Sequence, residues 1–110
     1  MGGAPQRVKR EQAGMSEVNI TRHGTDQAGE YHAHLPGETA IGRLTWQARG
    51  NVRAAEHTLV PREIGGRGVA ARLVDALVAD ARSQGFRIDP VCSYVEAQFK
   101  RHPEWADLRA

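Results

Sequence analysis

The chain has 110 residues, of which 40% are hydrophobic and one is cysteine, and its formal net charge is +2. This length suits one domain, and one cysteine excludes both an internal disulfide and a zinc site built from cysteines alone. The sequence contains no apolar leader and no run of about 18 apolar residues, so we expect a cytoplasmic protein with no membrane partner.

The basic charge is concentrated at the N-terminus. Of the 15 basic and 13 acidic residues, residues 1–14 contain three and one, so residues 15–110 hold 12 of each sign. A neutral body lacks the basic clustering that nucleic-acid binding requires, so no nucleic-acid partner is expected. We predict a disordered basic extension at residues 1–14 and one monomeric domain at residues 15–110.

Alternating apolar residues predict four strands in the first half of the chain. The predicted strands are 17–23, 30–35, 39–48 and 52–60. Short turns rich in glycine separate them, so we expect an antiparallel meander. On the second strand, Tyr31, Ala33 and Leu35 are predicted to face one side, and Glu30, His32 and His34 the other.

The apolar period then changes to that of a helix. Apolar residues recur at helical spacing over 69–83, and Gly85 suits the left-handed position that ends a helix. Residues 86–94 are predicted to form a fifth strand, and 94–101 a short helix. The order ββββ-α-β-α defines an α+β domain.

A glycine-rich loop, "GGRGVA" (65–70), lies between the fourth predicted strand and the long helix. A helix N-terminus with glycines suits an anion such as a pyrophosphate, because free N–H groups and the helix dipole attract negative charge. A purely structural turn is the alternative. The loop lacks the Lys-Ser/Thr pair of nucleotide P-loops, and the preceding antiparallel strands do not suit a dinucleotide fingerprint.

Four segments together carry a family resemblance. They are "HTLVP" (57–61), "GRGVAARLVDAL" (66–77), "PVCSYVEAQF" (90–99) and "HPEW" (102–105). The sequence over roughly residues 17–108 resembles small single-domain members of the GNAT superfamily, the acyl-CoA N-acyltransferases. The resemblance implies a curved, mostly antiparallel sheet that opens between its fourth and fifth strands, with acetyl-CoA bound in the opening.

The resemblance also implies which residues bind acetyl-CoA. The pyrophosphate would accept hydrogen bonds from the N–H groups of Gly66, Arg67, Gly68, Val69 and Ala70. The pantetheine arm would run beside the fourth strand, near His57, Thr58, Leu59 and Val60. Gly65 stands where the superfamily usually has glutamine or arginine, so one side chain is missing although the backbone donors remain.

Three residues are candidates for the chemistry. Cys92 is a nucleophile, a residue that lines the site, or a small core residue. Tyr94 is a proton donor to the departing thiolate or an amphipathic wall residue. His57, or Glu56 on the opposite strand face, is a base or a hydrogen-bonded structural residue.

Other polar residues carry weaker signals. The His32 and His34 pair has a spacing that can bind a metal, but no third ligand is evident, so no metal is predicted. Lys100 and Arg101 are candidates for the 3′-phosphate of the cofactor or are simply solvated.

The sequence therefore predicts an acetyl-CoA-dependent N-acetyltransferase acting on an amine. Direct attack by the amine is favoured over a relay through Cys92. Compared with the superfamily it resembles, the chain lacks the helices usually placed between the first two strands. This shortness supports either a CoA-binding module without catalysis or a large protein acceptor that completes the site itself. The alternatives are a CoA-binding module without catalysis and a protein-interaction domain in which the glycine loop only turns a corner.

Overall fold

The computed structural model describes residues 17–110. The predicted extension at residues 1–14 lies outside the described residues. Within residues 17–110, neither helix combines the length and apolar character needed to cross a bilayer.

Five strands form one sheet whose spatial order follows the sequence. They are β1 (Asn19–Gly24), β2 (Ala28–His34), β3 (Gly42–Arg49), β4 (Val52–Leu59) and β5 (Arg87–Pro90). The first four pair antiparallel with their neighbours, which confirms the predicted meander, and β5 pairs parallel to β4. A parallel pair needs a crossover, and the segment between β4 and β5 provides it.

Two helices and two 3₁₀ turns complete the fold. They are a 3₁₀ turn at Arg62–Ile64, helix α1 (Val69–Gln84), helix α2 (Ser93–Arg101) and a 3₁₀ segment at Pro103–Leu108. Gly85 has a φ of 81° and ends α1 as predicted, because its N–H bonds to the carbonyl of Ala81.

The predicted fifth strand at 86–94 was too long, because β5 ends at Pro90. Pro90 has no N–H to continue a ladder. Val95, Gln98 and Phe99 are buried while Ala97 is exposed. This i, i+3, i+4 spacing is helical, whereas a strand would place 95, 97 and 99 on the same face, and the helix begins at Ser93.

The helices cover one face of the sheet. The buried apolar residues that the sheet contributes to this core include Tyr31, Ala33, Leu44, Trp46 and Ala55, and α1 contributes Val69, Leu73, Val74, Leu77, Val78 and Ala81. Among residues 17–110, no helix lies on the opposite face, which we call the open face. The open face is where polar side chains such as His32 and Arg43 lie.

Close packing fixes the start of α1 against the sheet. Gly42 opens β3, and a Cβ atom there would lie 2.8 Å from Cγ1 of Val69. Ile64, just before the glycine loop, is fully buried. The burial of Ile64 and the packing of Val69 against Gly42 fix the two ends of the glycine loop relative to the sheet.

A buried charge network fixes the other half of α1. Asp80 accepts two hydrogen bonds from the Arg22 guanidinium, at 2.8 and 3.0 Å, and one from the Tyr31 hydroxyl at 2.7 Å. Arg53 also donates to the Tyr31 oxygen, at 3.2 Å. Its guanidinium lies 3.8 Å from the centroid of Trp46. The network ties α1 to three strands.

Candidate active site

The parallel strands β4 and β5 separate part-way along β4. Their pairing runs from Val52 opposite Arg87 to Ala55 opposite Pro90. One further bond, from the N–H of Cys92 to the carbonyl of Ala55 at 2.8 Å, closes the contact. Because β4 continues to Leu59, its last four residues extend beyond this pairing. The opening predicted between the fourth and fifth strands therefore lies beyond Ala55.

Cys92 lies at this point of separation, and its environment differs from the predicted one. It is the residue before α2 rather than part of a strand. Burial favours the neutral thiol, but the Thr58 hydroxyl, 3.4 Å from the sulfur, and the N–H groups of Val95 and Tyr94 together outweigh that effect. The pKa of Cys92 is therefore lowered, which favours the thiolate.

The Thr58 hydroxyl provides the first test of this environment. In Thr58→Val, the alkylation of Cys92 by iodoacetamide should be slower at neutral pH, and its pH profile should move to higher pH. The side chain keeps its shape but loses the hydrogen bond to the thiolate. The matched control is Thr45→Val on β3, which should leave the profile unchanged. An unchanged profile in Thr58→Val would contradict the assigned contact.

Tyr94 does not share a strand face with Cys92, because it is the second residue of α2. Its hydroxyl accepts a hydrogen bond from Gln98 at 3.2 Å. Burial raises the pKa of Tyr94, Arg101 lowers it and Asp75 raises it, and the net direction is upward. The hydroxyl therefore keeps its proton at neutral pH and is able to donate it.

A β-bulge in β4 changes the predicted positions of Glu56 and His57. Thr45 pairs with His57 and Trp46 with Ala55, so Glu56 is the extra residue. Because two bulged residues oppose one partner residue, both Glu56 and His57 are directed to the open face. The prediction that they lie on opposite faces was therefore wrong, since a regular alternation was assumed.

Glu56 contributes to a pocket on the open face with a volume of about 420 Å³. The lining also includes Glu30, Thr45, Gln47 and Trp46. Oγ1 of Thr45 is buried and has no hydrogen-bond partner among residues 17–110, although buried polar atoms usually have one. The pocket thus combines two carboxylates with a buried hydroxyl that lacks a partner among the described residues.

The glycine loop has the geometry of an anion site. Gly66 and Gly68 have φ angles of 75° and 73°, which residues with a Cβ rarely adopt. Gly68 is the N-cap of α1, so the N–H groups of the first turn lack intrahelical acceptors. Arg67 reaches Glu38 at 3.3 Å, so its side chain is already paired.

The end of β4 exposes apolar surface beside the opening. Leu59 is 59% exposed, and Val91, on the other side of the opening, is 56% exposed. Thr58 and Val60 are half-buried between them and the core. Exposed apolar side chains at a gap between strands favour a ligand with an apolar arm.

The comparisons with known proteins agree with this geometry. A family model, the GCN5-related N-acetyl-transferases, matches residues 30–108. This range includes the opening between β4 and β5, the glycine loop and both helices. The chain belongs to this family. The search of curated proteins found no match.

A solved structure supports the same fold for this GCN5-related chain. The solution structure of a predicted GCN5-like N-acetyltransferase from Staphylococcus aureus has a TM-score of 0.64 and 24% sequence identity. The alignment covers 86% of this chain and 90% of the other. The mostly antiparallel sheet and the order ββββ-α-β-α are therefore confirmed, and the family assigns the domain to acyl transfer.

Two features of this family member were not predicted from the sequence. His23 lies beside the His32 and His34 pair. Counting residues outward from the β1–β2 turn would have predicted that the hairpin places His23 next to this pair. Asp80 interrupts the apolar stripe of α1, and a charged residue at such a position signals a buried partner.

Proposed function

We propose that this protein transfers the acetyl group of acetyl-CoA to an amine. The observation that carries the proposal is that the pairing of β4 with β5 stops at Ala55 and Pro90, with Cys92 at the point of separation. The glycine loop follows β4 in the sequence. Family membership supports acyl transfer. The choice of acetyl-CoA and of an amine is our inference from the arrangement of the residues.

The glycine loop suits the pyrophosphate of acetyl-CoA. A Cβ atom built at Gly66 or at Gly68 meets no atom within 4 Å, so space lies next to the backbone on that side. We assign the pyrophosphate to the N–H groups of Gly66, Arg67, Gly68, Val69 and Ala70. The helix dipole adds to the attraction.

The free edge of β4 suits the pantetheine arm. Residues Thr58 and Leu59 pair with β3 on one side only. On the other side, the Thr58 backbone already bonds to the Cys92 thiol, so we assign the ligand to the edge at Leu59. Two amides of an extended arm can pair with such an edge as an added strand does. Leu59, Val60 and Val91 would contact the apolar parts of the arm.

In the reaction, the amine nitrogen attacks the thioester carbonyl, the C–S bond breaks, and CoA leaves as a thiolate. The amine must lose a proton, and the thiolate gains one. Glu56 and His57 lie on the open face and are the proposed acceptors of the amine proton. Tyr94, whose pKa is raised by burial, is the proposed donor.

The acceptor is proposed to enter from the open face. The pocket beside the bulge carries Glu30 and Glu56, which attract a cationic amine such as a lysine side chain. No helix lies between β1 and β2, so a large acceptor such as a protein can reach this pocket.

Attack by the amine itself is preferred to a relay through Cys92. The thiolate is favoured in this environment, and a relay would move the acetyl group to Cys92 Sγ and then to the amine. Cys92→Ser distinguishes the two routes, because full turnover by that variant eliminates the relay.

The test of the proposed function is to incubate the protein with acetyl-CoA and a panel of amines and lysine peptides, and to detect acetylated products by mass spectrometry. Turnover that depends on the protein is expected. Thermal unfolding with and without acetyl-CoA separates the alternatives. A higher midpoint without turnover would favour a CoA-binding module, and no rise at millimolar ligand would overturn the proposal.

A further inference from the structure

Three histidines come together on the open face. His23 lies in β1, and His32 and His34 lie in β2. The antiparallel register places Thr21 opposite His32 and His23 opposite Glu30. The three imidazoles each offer a nitrogen, and these nitrogens lie within 4.8 Å of one another. The cluster therefore joins two strands that are fixed by their hairpin.

Two of the nitrogens already converge on one point. Nε2 of His23 is 2.7 Å from the Thr21 hydroxyl oxygen, and Nε2 of His34 is 2.9 Å from the same oxygen. A hydroxyl has one proton to donate, so it donates to one ring at most and accepts from the other. The ring that accepts the hydroxyl proton uses its Nε2 lone pair in that bond, and this lone pair becomes a metal ligand only when the hydroxyl turns away. The other ring donates its Nε2–H to the hydroxyl and carries its lone pair on Nδ1.

The third ring is oriented by a carboxylate. Nε2 of His32 is 2.7 Å from Oε1 of Glu30. A histidine that donates one ring N–H to a carboxylate presents its other nitrogen as a ligand, which is the usual outer arrangement of metal-bound histidines. Nδ1 of His32 is thus the available ligand atom.

We propose that His23, His32 and His34 bind a divalent transition metal ion such as Zn²⁺. Three neutral imidazoles with one open position form a recurring zinc ligand set. The nitrogens must approach each other slightly, because zinc–nitrogen distances are about 2.0–2.1 Å. The His23 and His32 rings are stacked, with centroids 4.0 Å apart. Because a metal lies in the plane of the imidazole that binds it, metal binding requires one of these two rings to rotate out of the stack.

The site lies beside the acceptor pocket, because the ligand His23 and Glu30, which bonds to His32, also line that pocket. Glu30 contributes negative charge that favours a cation. Arg43, opposite His32 in the register, contributes positive charge that opposes it. Arg43→Ala should therefore bind the metal more tightly than the wild type, whereas Glu30→Gln should bind it about tenfold more weakly.

The chain provides a matched control, because it has five histidines and two lie outside the cluster, His57 and His102. Zn²⁺ is titrated into the full-length untagged protein by calorimetry, with imidazole resonances recorded by NMR. One equivalent is expected to bind, with the resonances of the three cluster rings shifted. His23→Gln and His34→Gln should each lower the zinc affinity by about a hundredfold. This loss is larger than the one expected for Glu30→Gln, because Glu30 only orients a ligand.

The controls decide the assignment. The His57→Gln/His102→Gln double variant and Cys92→Ser should retain wild-type zinc affinity. Overturning results are the absence of Zn²⁺ binding in the wild type, an affinity unaffected by His23→Gln and His34→Gln, or binding that is lost in Cys92→Ser. A folded His34→Gln variant, checked by circular dichroism, excludes unfolding as the cause of a lost site.

Discussion

Replacing Gly68 with alanine is expected to weaken acetyl-CoA binding at least tenfold. Gly68 has a φ of 73°, and a residue with a Cβ is disfavoured in that conformation by about 1–2 kcal/mol. Relief of that strain would turn the N–H groups of the loop away from the pyrophosphate. The new methyl group would also enter the space next to the backbone that we assign to the ligand.

The measurement is the rise in unfolding midpoint caused by acetyl-CoA. At a ligand concentration a hundred times Kd, the folded state gains about 2.7 kcal/mol, and a tenfold weaker Kd reduces this to about 1.4 kcal/mol. The unliganded variant should also be less stable than the wild type, because the strain remains without ligand.

Gly85→Ala separates binding from strain. Gly85 caps the other end of α1 with a φ of 81°, and a Cβ there also meets no atom within 4 Å. It should therefore lose similar stability while keeping the full response to acetyl-CoA. Gly65→Ala is a second control, because the φ of Gly65 is an ordinary −70°. Equal loss of the response in Gly68→Ala and Gly85→Ala would mean that the loop is only a turn.

The architecture was predictable because its signals are local. Alternating residues such as Tyr31 and Ala33 placed the strands, and the spacing of Leu73 and Leu77 placed α1. The predicted strand at 86–94 was too long, because the apolar run in this segment is short. In such a run, a strand and a helix cannot be distinguished by periodicity, although the helix predicted at 94–101 agrees with the observed Ser93–Arg101 to within one residue.

The arrangement of the site was less predictable, because it depends on register and irregularity. The bulge at Glu56 moves that residue to the face of His57, and no residue near it marks a bulge in the sequence. Thr58 was predicted to line the cofactor arm. Its bond to the Cys92 thiol was not predicted, because it depends on how β4 and α2 are placed relative to each other. The lowered pKa of Cys92 follows from that position.

Replacing Asp80 with alanine is expected to destabilise the fold by about 2–3 kcal/mol, because the variant leaves the buried Tyr31 hydroxyl and the Arg22 guanidinium without their main acceptor. The Asp80 side chain is only 11% exposed, although that of Arg22 is 51% exposed, so water offsets part of the cost. For a domain of this size the unfolding midpoint should fall by roughly 10 °C or more.

The Arg82–Asp107 pair is the matched control for the Asp80 variant. It is also an arginine–aspartate pair, with contacts of 3.0 and 3.4 Å, but the Asp107 side chain is 66% exposed. Asp107→Ala should leave the midpoint close to that of the wild type, because water solvates both partners. Similar decreases in the unfolding midpoint of the two variants would show that burial does not increase the contribution of the Asp80 network to stability.

Acid unfolding gives an independent test of the same carboxylate. Burial raises the pKa of Asp80, but the bonds from Arg22 and Tyr31 outweigh it, and the pKa is lowered overall. On acidification the unfolded chain is therefore protonated first. The stabilisation is complete above the ordinary aspartate pKa of about 3.9 and is lost as the pH falls through the lower folded-state pKa. Asp80→Asn should be less stable at neutral pH and should lose less stability between neutral pH and about pH 3, as measured by urea unfolding. An acid dependence identical to that of the wild type would mean that the pKa of Asp80 does not differ between the folded and unfolded states.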